Sequence, residues 1–222
     1  KDKIYPLDIF VKNISWSAND ALIYYFSNNS MVNYIGRIQN SKNEKLADIG
    51  IINPKFDYTD NKLIITGEKN SPLFLIDPKT KTRKVLIDEK PYVSFLTNGK
   101  LIFASYIDAS GRWGSVIMNL SGQVLKIFGW GTFSEKCSFK NILVCGVPKN
   151  QTAFDLPNSW YELNRNFTDN LIIFDTAKMT LKEIGVGDNF DILSPQATQM
   201  GIIFTNRTDS KIYLAPNSLG SY

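Results

Sequence analysis

Histidine is absent from the 222 residues of this chain, and that omission decides much of what it can do. Without imidazole there is no Ser-His-Asp or Cys-His nucleophilic pair and no His-ligated metal. The acid–base candidates that remain are Asp155 and Glu162, which lie seven residues apart in the polar stretch 150–168. Two carboxylates are the machinery of glycoside hydrolysis, so they carry a weak hydrolase alternative, and no catalytic residue is assigned. Cys137 and Cys145 flank a tight turn near Lys140-Asn141. Bridges between adjacent strands fit ordinary disulfide geometry poorly, so the pair reads as two buried thiols, with a disulfide as the alternative. No ladder of Asp and Asn with a distal Glu marks a calcium loop. Gly129-Trp130-Gly131 and Gly185-Val186-Gly187-Asp188 lack the following helix and wider fingerprint of a phosphate loop, and read as flexible turns. No cofactor and no metal is expected.

The elements that must position these residues are strands. Apolar residues come in runs of four to eight, rich in Ile, Val, Tyr and Phe and bounded by Asn, Asp, Gly and Pro. Ile14–Tyr25 (ISWSANDALIYY) sets the pattern of strand, polar turn and more apolar returning strand. Similar units follow at 54–68, 93–106, 137–147 and, less cleanly, 193–205. Four short antiparallel strands per repeat of about 40 residues are the signature of a β-propeller blade. The expected fold is all-β, with about five blades over 12–50, 51–88, 89–129, 130–185 and 186–222 of a single domain. The last blade lacks a fourth strand, which residues 4–11 are expected to supply, removing an exposed edge. Asp77 and Asp175 each end an apolar third strand and read as formers of the next hairpin turn.

The polar turns SANDAL (17–22), YTDNKL (58–63) and LTNGKL (96–101), each followed by an apolar strand, lead on to LFLID (73–77) or IIFD (172–175). This pattern resembles the TolB-like and WD40-like β-propellers and covers nearly the whole chain. The usual Ser-Pro-Asp-Gly turn is degenerate here, with Asn replacing Asp or Gly. The Gly-His and Trp-Asp dipeptides of true WD40 repeats are absent, and Ala109-Ser-Gly-Arg-Trp113 does not match the sialidase Asp box. The resemblance implies a binding or scaffolding module, often extracytoplasmic in bacteria, with no catalytic residues to carry over.

In such a blade the connections of the second to the third strand and of one blade to the next share a face, where propellers usually bind. The 150–168 insertion lies in a connection of the first kind and brings Trp160, Tyr161, Glu162 and Arg165. Long loops carrying aromatics are functional more often than not. Trp160 has two readings, a pin holding the insertion to the blade and a contact for a partner. Arg112 and Trp113, Trp130, and Arg207 with Asp209 equip other connections of that face, while Trp16 reads as packing between blades. The expected binding residues are therefore Arg112, Trp113, Trp130, Trp160, Tyr161, Arg165 and Arg207. Aromatic and Arg residues on one face match protein interfaces, so another protein is the expected partner and a glycan the alternative. The basic run Lys79–Lys84 sits in one hairpin turn, repeats nowhere else and reads as a solvated turn, so no nucleic acid is expected. No apolar run reaches membrane-helix length. The chain starts at Lys1 without Met, and contact with a membrane is expected only through a segment absent from it.

Overall fold

A computed structural model describes residues 7–17, 21–28, 32–150, 158–162 and 165–216. These form five antiparallel sheets, each a meander in which strands adjacent in sequence are hydrogen-bonded neighbours. The first sheet holds β1 (Val11–Trp16), β2 (Leu22–Ser27), β3 (Asn33–Gln39) and β4 (Lys42–Asp48). The second holds β5 (Lys55–Thr59), β6 (Lys62–Thr66), β7 (Ser71–Ile76) and β8 (Arg83–Lys90). The third holds β9 (Tyr92–Thr97), β10 (Leu101–Ile107), β11 (Trp113–Asn119) and β12 (Val124–Phe128). The fourth holds β13 (Cys137–Phe139), β14 (Ile142–Pro148), β15 (Asp169–Asp175) and β16 (Thr180–Ile184). The fifth has three strands among the described residues, β17 (Ile192–Thr198), β18 (Gly201–Asn206) and β19 (Ile212–Pro216). Among the described residues no helix is long and apolar enough to cross a membrane.

The chain divides into two compact units, with the boundary at Val93/Ser94 inside β9. In the first unit, Ile23 and Tyr25 of β2, Leu63 and Ile65 of β6, and Phe74 and Ile76 of β7 form one core. Successive side chains of a strand point to opposite faces, and Ile64, between Leu63 and Ile65, is buried on the other side of β6. Burying one such side chain stabilises the fold by about 1.5–3 kcal/mol.

The second unit uses the same alternation twice. Leu143, Cys145 and Val147 of β14 face Phe103, Ile117 and Phe128 of the third sheet. Val144 of β14, with Leu171 and Ile173 of β15, faces Ile192, Ile202 and Phe204 of the fifth. Both faces of the fourth sheet are covered. Its inner strands β14 and β15 therefore read as unbroken apolar runs, not as alternation.

Three sequence expectations change here. Cys137 and Cys145 are directly opposed in the β13–β14 register and joined by a disulfide, with Cα atoms 4.1 Å apart. The reading as thiols rested on the poor fit of adjacent-strand bridges, whereas the short Cα separation places this pair in the close, non-hydrogen-bonded class, which brings the two side chains together. Trp16 is 70% exposed and packs no blade, because β1 is an edge strand that buries neither Ile14 nor Trp16. Residues 4–6 of the expected closing strand lie outside the described residues. Leu7–Phe10 contain no strand, and Val11 already pairs with Phe26 of β2.

The turn chemistry holds. The Asp77 carboxylate accepts the N–H groups of Lys79 and Thr80 at 2.9 and 3.3 Å. Asp175 accepts those of Ala177 and Lys178 at 2.9 and 3.0 Å. Both aspartates close the hairpin after a third strand, as their spacing predicts.

Candidate functional site

At one end of the second unit, four connections meet: β12 to β13, β14 to β15, β16 to β17, and β18 to β19. Each contributes a polar group. Lys136 ends a short 3-10 turn, Ser134–Lys136, immediately before β13. Asp169 opens β15, Asp191 precedes β17, and Arg207 follows β18. Lys136, Asp169 and Asp191 are fully buried, and Arg207 is nearly so.

The Lys136 ammonium lies 2.6 Å from Asp169 Oδ2 and also bonds Asp191 Oδ1. Asp169 Oδ2 accepts the Ile192 N–H at 2.6 Å as well. Asp191 Oδ2 accepts the Trp160 indole N–H at 3.1 Å and the Phe167 N–H at 3.2 Å, with Arg207 Nη1 at 3.6 Å. The Arg207 guanidinium donates to the backbone carbonyls of Trp160 and Arg165. Two cations face two anions, so the cluster is formally neutral. A buried charge without such pairing would cost several kcal/mol.

An aromatic layer covers this network. Trp160, only 3% exposed, stacks on Phe133 with ring centroids 4.3 Å apart and planes within 11°. The Arg207 guanidinium lies 4.4 Å from the Trp160 ring centre. Trp113, 7% exposed, meets Phe133 edge-on at 5.2 Å, and Phe167 lies 6.1 Å from Phe133. Gly131 lets the chain pass beneath: a Cβ there would sit 2.6 Å from the Trp113 ring and 3.0 Å from the Gly114 carbonyl oxygen. The Gly129–Gly131 turn thus marks a close approach of backbone to ring, where flexibility alone was expected.

The expected site residues divide by depth. Trp160, Trp113 and Arg207 form the buried layer. Arg165 is half-buried, its guanidinium 5.4 Å from the Phe167 ring centre. Tyr161 is 44% exposed, with its hydroxyl 3.3 Å from the Glu135 carboxylate. The Arg112 side chain is largely solvent-exposed, its Nε 3.1 Å from Asp108. Trp130 stands apart from this layer and packs on Phe128 and Phe103 of the third-sheet core. Asp209, whose carboxylate accepts the Lys211 N–H and the Tyr213 hydroxyl, shapes its own turn.

Sequence reasoning missed Lys136, Asp169, Asp191 and Phe133. Each charged residue sits among turn-like neighbours, and Lys136 meets Asp191 across 55 residues. No local pattern signals such a pairing.

Burial pushes the Asp169 carboxyl up to about 6, against the lowering pull of Lys136. Between the ordinary 3.8 and that value the folded state holds this proton more tightly than the unfolded chain. This group alone therefore makes stability fall as pH rises through that window and leaves it level above. The melting-temperature advantage of the native chain over Asp169→Asn should shrink from pH 4 towards pH 7. An advantage that stays constant across the range would contradict the shift.

Among the described residues no three His, Cys, Asp or Glu side chains cluster closely enough to hold a metal ion. Asp155 lies outside the described residues, and Glu162 is exposed.

No protein-family model matches the chain, and no curated protein matches it in sequence. Solved structures do. The β-propeller domain of the Trilobed protease from Pyrococcus furiosus is similar at a TM-score of 0.55 and 12% identity, over 94% of this chain and 72% of that one. TolB from Acinetobacter baumannii is similar at 0.51 and 14%, over 79% of this chain and 43% of that one, so the chain spans less than half of that TolB. A chain of the nidogen/laminin complex is similar at 0.52 and 8%, over 91% of this chain and 74% of that one. With its five antiparallel meanders, the chain has the fold of a β-propeller.

Proposed function

We propose that this propeller is a non-catalytic module that binds another protein through the end of its second unit that carries the 150–168 insertion. The observation that carries the reading is the anchoring of that insertion. Trp160 is held by a ring stack, by its indole N–H on Asp191 and by its carbonyl on Arg207. A long connection held on a dedicated buried network presents its outer residues in one geometry, which lowers the ordering cost of binding. The residues so presented are Tyr161 and Glu162, with Arg165 in the same insertion and Arg112 in the β10–β11 connection, next in sequence to Trp113 of the aromatic layer. Tyrosine and arginine are the types that dominate protein–protein hot spots.

The similar chain in the nidogen/laminin complex, an assembly of two proteins, agrees with this use of the fold. The Cys137–Cys145 disulfide supports an oxidising, extracytoplasmic compartment. A glycan reading needs exposed ring faces for stacking, and of the expected aromatics here only Tyr161 is substantially exposed.

The test compares the native chain with a Tyr161→Ala, Arg112→Ala double variant of equal melting temperature in affinity capture from the source cells. A protein captured by the first and lost by the second is the expected result. Equal capture by both overturns this face as the interface. Loss of binding to a sugar array in place of a protein would move the reading to the glycan.

A further inference from the structure

The first unit contains a feature that the binding face does not use. Ile49 and Ile51, in the connection from β4 to β5, join Ile65 of β6 and Phe74 and Ile76 of β7 in lining a cavity of about 250 Å³. Two cations from the basic β7–β8 turn stand at its edge. The Arg83 guanidinium lies 3.3 Å from the centre of the Phe74 ring. Lys81, at a positive φ of 60°, sends its ammonium to the Leu46 carbonyl at 3.2 Å.

Both cations are exposed on the side facing the recess, so their charge is open to a ligand as it is to water. Among the described residues neither Lys81 nor Arg83 forms an ion pair, and the Arg83 N–H donors make no hydrogen bond to the protein. The carboxylate that also lines the cavity, Asp48, is already bonded to Lys45. The result is a recess of mixed lining, apolar on its isoleucines and Phe74 and charged on Lys81, Arg83 and the already paired Asp48. A guanidinium held over an aromatic ring keeps its planar N–H edge oriented for a carboxylate.

We propose that this cavity binds a small amphipathic carboxylate, its apolar body among the isoleucines and its head group on Arg83 and Lys81. The volume lies below the range of about 300–1,000 Å³ typical of drug-sized ligands. It suits a single aromatic ring or a short branched chain. The apolar walls supply most of the affinity and the two cations select the charge. The site is independent of the insertion in the second unit. The Lys79–Lys84 run, read from sequence as a solvated turn, supplies both of its cations.

Calorimetric titration with phenylacetate tests this, with phenylacetamide as the neutral isostere. The native chain should bind phenylacetate saturably, and both Arg83→Gln and the amide should weaken binding at least about tenfold, as loss of a charged hydrogen bond does. Gly50 also lines the cavity, and a Cβ built there meets no atom within 4 Å. Gly50→Leu should therefore leave the melting temperature unchanged, a control that substitution beside the recess does not by itself unfold the unit. Three results would each overturn the proposal. They are no saturable binding at millimolar phenylacetate, equal affinity for acid and amide, and full binding by Arg83→Gln.

Discussion

Asp191→Ala is expected to cost about 3–5 kcal/mol of folding stability, the range for removing one partner of a buried ion pair. One carboxylate there serves Lys136, Trp160, the Phe167 N–H and Arg207. Without it, two buried cations share a single remaining anion, Asp169, which bonds only one of them. The excess charge stays in a fully buried site. Urea denaturation should show the loss as a lower midpoint with an unchanged slope. Limited proteolysis should cut the 150–168 insertion first, because three of its anchors end on this carboxylate or on its partner Arg207. A change below about 1 kcal/mol would mean that the network is not formed in solution. Replacing the charged set together by apolar residues of similar volume is the informative control, since such replacements are often neutral.

Trp160→Ala is the second large effect, expected at about 3–5 kcal/mol for truncating a buried indole. The Phe133 ring loses its stacked partner, and Asp191 loses a hydrogen bond. Trp160→Phe separates these terms. It keeps an aromatic face on Phe133 and should cost only the lost indole N–H, about 1–3 kcal/mol. Because Trp160 and Asp191 touch, the two alanine changes will not add. The double variant should fall short of their sum by about 0.5–3 kcal/mol. Strict additivity would place the two residues in separate networks. Trp160→Ala should also abolish partner capture although the residue itself is buried, by releasing Tyr161 beside it.

The strands and their turns were legible in the chain because both are local. Runs such as Leu171–Phe174 and the side-chain hydrogen bonds of Asp77 and Asp175 depend on neighbours within a few residues. The insertion was legible for the same reason, as an interruption of a regular spacing. Its anchor was not. Trp160 could be read as a pin or as a contact, and the choice depends on Asp191 and Arg207, which lie far along the chain.

Misreadings followed the same division. Trp16, between two serines, and Trp160, in a polar insertion, are alike as residue types, yet one is exposed on an edge strand and the other buried. The cysteine pair turned on which class of cross-strand register Cys137 and Cys145 occupy, and residue type says nothing of that. Lys136, Asp169 and Asp191 carry no local signal, and only the packing of the sheets brings them together.

By itself the sequence determined the all-β class, the repeat and the turns, since period-two burial and turn chemistry act over a few residues. Only the tertiary structure decided which tryptophans are buried, whether the cysteines bridge, and which charges neutralise one another. Burial and charge pairing depend on what lies across a few ångströms of space, and here those neighbours are up to 55 residues away in the chain.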